Sequence, residues 1–157
     1  MSIAITDDHR ALAGTASDFL TKHGARAAAR ALLEAPEEGL PGFWDELQSV
    51  GWLGLHLPEE HGGSGYGLPE LVVVVEEMGR AVAPGPFVPT VMASAILAAA
   101  APAEVRARYL PGLADGSTIG AVALGGDVEL RDGRAHGPAG VVLGGRLAGV
   151  LLVAVGA

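Results

Sequence analysis

Apolar side chains recur every three or four residues along most of the chain, which is the spacing of one face of an α-helix. The first stripe follows Thr6, a favoured helix N-cap residue, and ends before Gly24. Its apolar members are Leu12, Ala16, Phe19 and Leu20. We therefore predict a first helix over Thr6–Lys22 and an alanine- and arginine-rich second helix over Ala25–Ala35.

The next stripe opens the most strongly patterned stretch, which covers residues 43–67 and reads FWDELQSVGWLGLHLPEEHGGSGYG. Phe43, Leu47 and Val50 share one face of a predicted helix, and Gly51 ends it because glycine adopts positive φ at little cost. The apolar residues of the following connection are expected to enter the core: Trp52, Leu53, Leu55 and Leu57. Pro58 then starts a glycine-rich turn.

Three more helices are predicted after this turn. Pro69 opens the first, which carries Glu76 and Arg80 at a favourable i, i+4 spacing. Its apolar stripe is Leu71, Val74, Val75, Met78 and Val82. Thr90–Ala101 is so apolar that we expect a helix buried on several sides. The last opens at Pro102 and Ala103; it pairs Glu104 with Arg108 and buries Tyr109, Leu110 and Leu113.

The pattern changes after Gly116, where short apolar and β-branched runs alternate with turn residues. Asp132-Gly133 is a typical two-residue hairpin turn. The predicted strand segments are Thr118–Leu124, Val128–Leu130, Arg134–Gly137, Val141–Leu143 and Val150–Val155. The sequence therefore predicts a mainly α protein, with an all-α domain over residues 1–116 and a partial β-domain over residues 117–157.

Composition narrows the function classes. The net charge is −8 and the ten basic side chains are scattered, which argues against a nucleic-acid partner. The absence of cysteine excludes a disulfide framework, a thiol nucleophile and a thiolate metal site. Residues 137–157 are apolar but contain Arg146 and six glycines, so strands fit better than a membrane span. The N-terminus shows no signal-peptide pattern, and we expect a cytoplasmic protein.

Several chemical motifs are absent. Residues 62–67 contain neither G-x-G-x-x-G nor G-K-[ST], so neither a dinucleotide site nor a P-loop is predicted. His56 and His61 have Pro58 between them and cannot share a helix face as a H-E-x-x-H zinc site requires. The other histidines, His9, His23 and His136, are isolated in sequence and are expected on the surface. No metal site is predicted.

Residues 43–67 resemble the N-terminal helical domain of the acyl-CoA dehydrogenases, a family of flavoenzymes. The family pattern is W-x-x-L-x-x-x-G-x-x-G-L-x-x-P-E-x-x-G-G-x-G. The chain matches it, with every spacing kept, at Trp44, Leu47, Gly51, Gly54, Leu55, Pro58, Glu59, Gly62, Gly63 and Gly65. The resemblance covers residues 1 to about 124 and includes RYLPGLADG at 108–116. It implies a helical domain followed by the beginning of a β-domain.

The resemblance also implies a reaction, the α,β-dehydrogenation of an acyl-CoA thioester with FAD as cofactor and electron-transfer flavoprotein as acceptor. In most of the family the glutamate base lies in a C-terminal helical bundle, which this sequence lacks. None of the candidate carboxylates matches its position, namely Glu59, Glu60, Glu76 and Glu77. No catalytic residue is therefore assigned, and the 157 residues alone are expected to be inactive.

Two segments are expected to contribute binding residues. In the family, a loop after the first β-strand carries Thr-Glu-Pro and then Gly-Ser-Asp, and touches the flavin. Here this loop is short and lacks both motifs, leaving a remnant of the cofactor site or a plain hairpin turn at Leu124, Gly125, Gly126 and Asp127. The helix after the proline-rich break lines the family's acyl tunnel. Its candidate substrate-binding residues are Phe87, Thr90, Val91 and Ser94, with packing between helices as the alternative.

Because it lacks this loop motif, the chain resembles the degenerate subunits of heteromeric acyl-CoA dehydrogenases from steroid-degrading actinobacteria. The chain is thus interpreted either as part of a flavin-dependent dehydrogenase or as a non-catalytic subunit that completes a heteromeric assembly. It is expected to form a homo- or hetero-oligomer with acyl-CoA dehydrogenase subunits. A flavin-free protein that only binds acyl-CoA is a third interpretation. The apolar run 151–155 ends the chain beside an incomplete sheet, so we expect a longer natural protein or a covering partner. The acyl group is not identified by the sequence.

Overall fold

A computed structural model describes residues 5–35 and 37–156. Over these residues the protein is mainly helical, with the strands in its last part, which confirms the predicted fold class. The helices are α1 (Asp7–Lys22), α2 (Ala25–Leu33), α3 (Trp44–Ser49), α4 (Leu68–Ala81), α5 (Phe87–Ala100) and α6 (Ala103–Asp115). Two 3-10 turns, Trp52–Gly54 and Glu59–His61, lie between α3 and α4. The strands are β1 (Gly120–Ala123), β2 (Glu129–Arg131), β3 (Arg134–His136) and β4 (Val150–Val153).

The connection after α3 forms the centre of the core. Gly51 has a φ of 71° and ends α3 as predicted, and α6 packs on both 3-10 turns. The four apolar residues predicted to enter the core are all buried, at Trp52, Leu53, Leu55 and Leu57. Gly63 folds back so closely that a Cβ atom there would lie 2.1 Å from the carbonyl oxygen of Leu57. Close backbone packing therefore requires this glycine of the patterned stretch.

The strands form two separate pairs in the described residues. β1 and β4 are parallel, with Gly120 opposite Val150, and β1 also packs against α5. β2 and β3 are antiparallel, and the predicted Asp132-Gly133 turn joins them with φ angles of 51° and 72°. Positive φ at both central residues is the geometry of a type I′ hairpin.

Several local predictions were wrong. Val141–Leu143 forms no strand, because the chain turns there between Gly140 and Gly144, which have φ angles of 73° and 66°, and Val141 is 94% exposed. Val50 lies outside the core because α3 ends one residue before it. α5 begins at Phe87 rather than Thr90, since a proline is tolerated in the first turn of a helix.

Two predicted side-chain environments also differ. In the described residues Glu104 and Arg108 form no ion pair; the Arg108 guanidinium instead lies 5.0 Å from the centre of the Tyr109 ring, which is only partly buried. His9, expected on the surface, is buried because it completes the N-terminal cap of α1 and contacts α4. The predicted pair of Glu76 and Arg80 is present, with 2.5 Å between Arg80 Nη2 and Glu76 Oε1.

Candidate functional site

α5 is the helix for which the family resemblance implies substrate contact, and it carries no charged side chain over its whole length. One of its faces packs against β1, α6 and the first 3-10 turn. A helix that is apolar on all sides is usually covered on all sides. The opposite face of α5 is therefore a candidate contact surface.

The four predicted substrate-binding residues all lie on the packed face. Phe87, Thr90, Val91 and Ser94 are each at most 4% exposed. The Gly120 N–H donates a hydrogen bond to Thr90 Oγ1 at 3.2 Å, which ties α5 to the start of β1. Ala93 lies beside them, and a Cβ atom at Gly120 would come within 2.6 Å of the Ala93 methyl group. Small residues at this crossing allow the helix and strand to approach closely.

The outward face of α5 presents a second apolar row, which the sequence reasoning did not select. Val88, Met92 and Ile96 are spaced by four residues and are 38%, 41% and 40% exposed. The spacing of four residues marks this row in the sequence, but it does not tell which of the two apolar rows of α5 faces outward. The row forms a continuous apolar strip along one side of α5.

The predicted cofactor-binding residues form an exposed loop between β1 and β2. All four residues are exposed to solvent, namely Leu124, Gly125, Gly126 and Asp127, and Leu124 is 67% exposed. The Asp127 N–H donates to the Pro138 carbonyl oxygen at 2.9 Å. A Cβ atom at Gly126 would lie 2.1 Å from that same oxygen, so the loop is held tightly against the segment that follows β3.

This loop offers a flavin only part of a binding site. Gly125 and Gly126 present exposed backbone, and Leu124 presents an exposed apolar side chain. Asp127 brings a negative charge to the loop, which is unfavourable for a diphosphate group. The loop therefore presents exposed backbone, and its four residues carry no cationic side chain.

Two histidines make defined contacts away from these segments. His9 Nε2 lies 3.1 Å from Glu70 Oε1 beside a cleft of about 340 Å³, which Leu12, Leu55 and Tyr66 also line. The Gly67 N–H and His9 together lower the pKa of the Glu70 carboxyl. His56 Nε2 lies 3.1 Å from Ser94 Oγ, and burial lowers the pKa of His56. Neither contact was predicted, because each joins residues far apart in sequence.

Residues 5–35 and 37–156 show the features of neither a metal site nor a membrane-spanning helix. No group of three His, Asp or Glu side chains in this part of the chain is arranged to hold a metal ion. No helix described here has both the length and the apolar character needed to cross a bilayer.

Comparison with known proteins identifies similar sequences and folds. Residues 6–117 match the family model for the N-terminal domain of acyl-CoA dehydrogenase. Acyl-CoA dehydrogenase IpdE2 of Mycobacterium tuberculosis is 37% identical over 122 residues, which cover 77% of this chain and 38% of that protein. Acyl-CoA dehydrogenase FadE34 of the same organism is 31% identical over 163 residues, covering 98% of this chain and 22% of FadE34. The chain thus spans well under half the length of these relatives.

Solved structures agree with this match. A variant of the Tcur3481-Tcur3483 steroid ACAD superposes with a TM-score of 0.71 at 34% identity, covering 85% of this chain and 40% of that one. The ChsE4-ChsE5 complex from Mycobacterium tuberculosis gives a TM-score of 0.72 at 21% identity, covering 87% of this chain and 40% of that chain. The second likeness is one of fold alone.

Proposed function

The chain belongs to the acyl-CoA dehydrogenase family, and we propose that it forms the N-terminal helical part, residues 1–116, and the start of the β-domain, residues 117–157, of a flavin-dependent acyl-CoA dehydrogenase. The reaction is removal of hydrogen from the α and β carbons of an acyl-CoA thioester. The observation that carries this proposal is the outward apolar row of the uncharged helix α5 in a chain of this family.

We propose that α5 borders the acyl group. Val88, Met92 and Ile96 offer an apolar strip that an acyl chain or ring system would cover, removing it from water. The predicted residues Phe87, Thr90, Val91 and Ser94 stand behind this strip and set the position of the helix. Substitution in either set would change acyl binding, directly in the strip and through helix position behind it.

We propose FAD as the cofactor, with Leu124, Gly125, Gly126 and Asp127 at one edge of it. The support is the family membership together with the exposed backbone of this loop. When bound, FAD would supply the hydride acceptor, and the protein would supply position and polarity. Electron-transfer flavoprotein is the proposed acceptor of the electrons.

The proposed catalytic base lies outside these residues. Glu59 and Glu60 are exposed in the second 3-10 turn. Glu76 and Glu77 lie on α4, within 4.0 Å of Arg80, and α4 is a different helix from α5. In the described residues, no hydrogen bond or ion pair brings any of these four carboxylates beside the strip on α5. We therefore assign the base to another part of the assembly.

The alternative is that the chain is a non-catalytic subunit of a hetero-oligomer. Its support is the lack of Thr-Glu-Pro and Gly-Ser-Asp in the loop after β1, together with the 34% identity to a variant of the Tcur3481-Tcur3483 steroid ACAD, whose name joins two components. In that case a second chain holds the flavin and the base. This chain would then complete the acyl site or the assembly.

The test is purification of the chain from its native cells, with an absorption spectrum and the mass of every polypeptide present. A flavin band with a polypeptide that contains this sequence and no other chain supports the dehydrogenase proposal. A flavin band only when a second dehydrogenase-like chain co-purifies supports the partner-subunit alternative. Absence of flavin from every form, with acyl-CoA still bound, contradicts both in favour of a binding protein.

A further inference from the structure

His56 lies between two parts of the core, and this position sets it apart from the other histidines. Its neighbours Leu55 and Leu57 are both buried and belong to different apolar clusters. The imidazole reaches α5, where its Nε2 lies 3.1 Å from the Oγ of the fully buried Ser94. The contact therefore joins the central connection to the helix that carries the outward apolar strip.

The hydrogen-bond geometry assigns the tautomer of His56. Ser94 Oγ lies 3.1 Å from the Val91 carbonyl oxygen, to which its single proton can be donated. His56 Nε2–H then donates to Ser94 Oγ, and Nδ1 carries a lone pair. His56 Nδ1 is buried and has no partner among the described residues. The opposite tautomer would leave a buried N–H without an acceptor, which is rarer in proteins than an unpaired acceptor.

Protonation of His56 would disturb this arrangement in two ways. It would place a positive charge against α5, which carries no charged side chain, and it would add a buried N–H at Nδ1 without an acceptor. We propose that neutral His56 is a pH-sensitive tie that holds α5, through Ser94, against the central connection. Protonation at Nδ1 leaves the Nε2–H donor in place but weakens the tie, because the ring must move for the new Nδ1–H to find an acceptor. The inference does not depend on the proposed enzymatic function.

No charged neighbour offsets the cost of protonation. The elements packed on the first 3-10 turn beside His56 are α3, α5 and α6. α5 has no titratable side chain. The titratable groups of α3, α6 and the connection itself are Asp45, Glu46, Glu59, Glu60, His61, Tyr66, Glu104, Arg106, Arg108, Tyr109 and Asp115. Among the described residues none of these pairs with His56, and burial alone lowers its pKa.

The sign of the effect follows from the lowered pKa. Above the unfolded-state pKa of about 6.5, His56 is neutral in both states and its contact is fully present. As the pH falls below that value, the unfolded chain binds a proton that the folded chain resists. The ratio of folded to unfolded chain then falls by up to about tenfold per pH unit, until the folded-state pKa is reached.

The experiment combines proton titration with a matched pair of variants in the 157-residue chain. NMR follows the His56 ring and the Val91 methyl groups with pH, while urea unfolding is measured for wild type, His56→Gln and the exposed control His136→Gln. We expect the ring to titrate below 6.5, the Val91 methyl shifts to move with the same midpoint, and the matching loss of stability to vanish only in His56→Gln.

Three results would overturn the proposal. The first is titration of the His56 ring at 6.5 or above, and the second is titration without any accompanying shift at Val91. The third is an unchanged pH dependence of unfolding in His56→Gln. If that variant does not fold, the wild-type NMR titration decides the matter alone.

Discussion

His9 Nε2 donates to Glu70 Oε1 over 3.1 Å, and this contact joins the first turns of α1 and α4. The Thr6 N–H donates to His9 Nδ1 at 3.2 Å, so Nδ1 is an acceptor and the proton lies on Nε2. The other Glu70 oxygen accepts the Gly67 N–H at 2.9 Å. One His–Glu contact therefore links the N-terminal caps of two helices that pack together.

Replacing the carboxylate in this link tests its contribution to stability. Glu70→Gln keeps the shape but removes the charge, and we expect a loss of about 1 kcal/mol of unfolding free energy at neutral pH. The pKa of Glu70 is lowered in the folded chain, so its stabilisation is present above about pH 4.5 and is lost as the pH falls through the folded-state value. Urea unfolding against pH should show this acid loss in wild type and less of it in Glu70→Gln. Glu46→Gln is the exposed control. An equal acid loss in wild type and Glu70→Gln would contradict the stabilising role of the Glu70 carboxylate.

Two glycine-to-alanine substitutions should have opposite effects. A Cβ atom at Gly63 would lie 2.1 Å from the Leu57 carbonyl oxygen, whereas one at Gly14 in α1 would meet nothing within 4 Å. Gly63→Ala is expected to cost about 2–4 kcal/mol of unfolding free energy, because backbone would have to move. Gly14→Ala is expected to add about 0.5–1 kcal/mol, because alanine favours the helix. Thermal unfolding of both variants checks the contrast, and a stable Gly63→Ala would show that the turn is not closely packed.

The buried hydroxyl of Thr90 should matter through its hydrogen bond rather than its volume. Thr90→Val keeps the shape but leaves the buried Gly120 N–H without its acceptor. We expect a loss of about 1–3 kcal/mol of unfolding free energy. Thr15→Val, in which an exposed threonine bonded within α1 is replaced, is the control and should change little. Equal effects of the two substitutions in denaturant unfolding would argue against the tie between α5 and β1.

Val82 ends α4 in an unfavourable backbone conformation. Its φ is 52° and its side chain is 57% exposed, so a β-branched residue occupies a left-handed position with little burial in return. Val82→Gly is expected to raise the unfolding free energy by about 1 kcal/mol. The same substitution at Val72, inside α4, should lower it. Calorimetry of both variants distinguishes relief of strain from a general effect of glycine.

Local chemistry was predictable from the sequence, whereas contacts between distant segments were not. The structure confirms three such local predictions: Thr6 caps α1, Gly51 ends α3, and the Asp132-Gly133 turn joins β2 to β3. His9 was misjudged because its partner Glu70 lies 61 residues away.

The face of α5 was hard to choose for a related reason. A helix without charged residues gives no polar side from which its buried side can be inferred, so the packed and the outward apolar rows look alike in sequence. The strand predicted at Val141–Leu143 failed because β-branched residues favour a strand only where a partner strand is available.

A charge placed on the outward strip of α5 tests most directly whether this helix borders the acyl group. In the flavin-containing assembly that includes this chain, anaerobic bleaching of the flavin by acyl-CoA is measured for Met92→Glu and for Val72→Glu. Both wild-type residues are exposed and apolar, but Val72 lies on α4, away from the strip. If α5 borders the acyl group, acyl-CoA-dependent bleaching is weaker in Met92→Glu and unchanged in Val72→Glu. If the flavin of Met92→Glu bleaches at the same acyl-CoA concentrations as that of wild type, the proposed contact of α5 with the acyl group is contradicted.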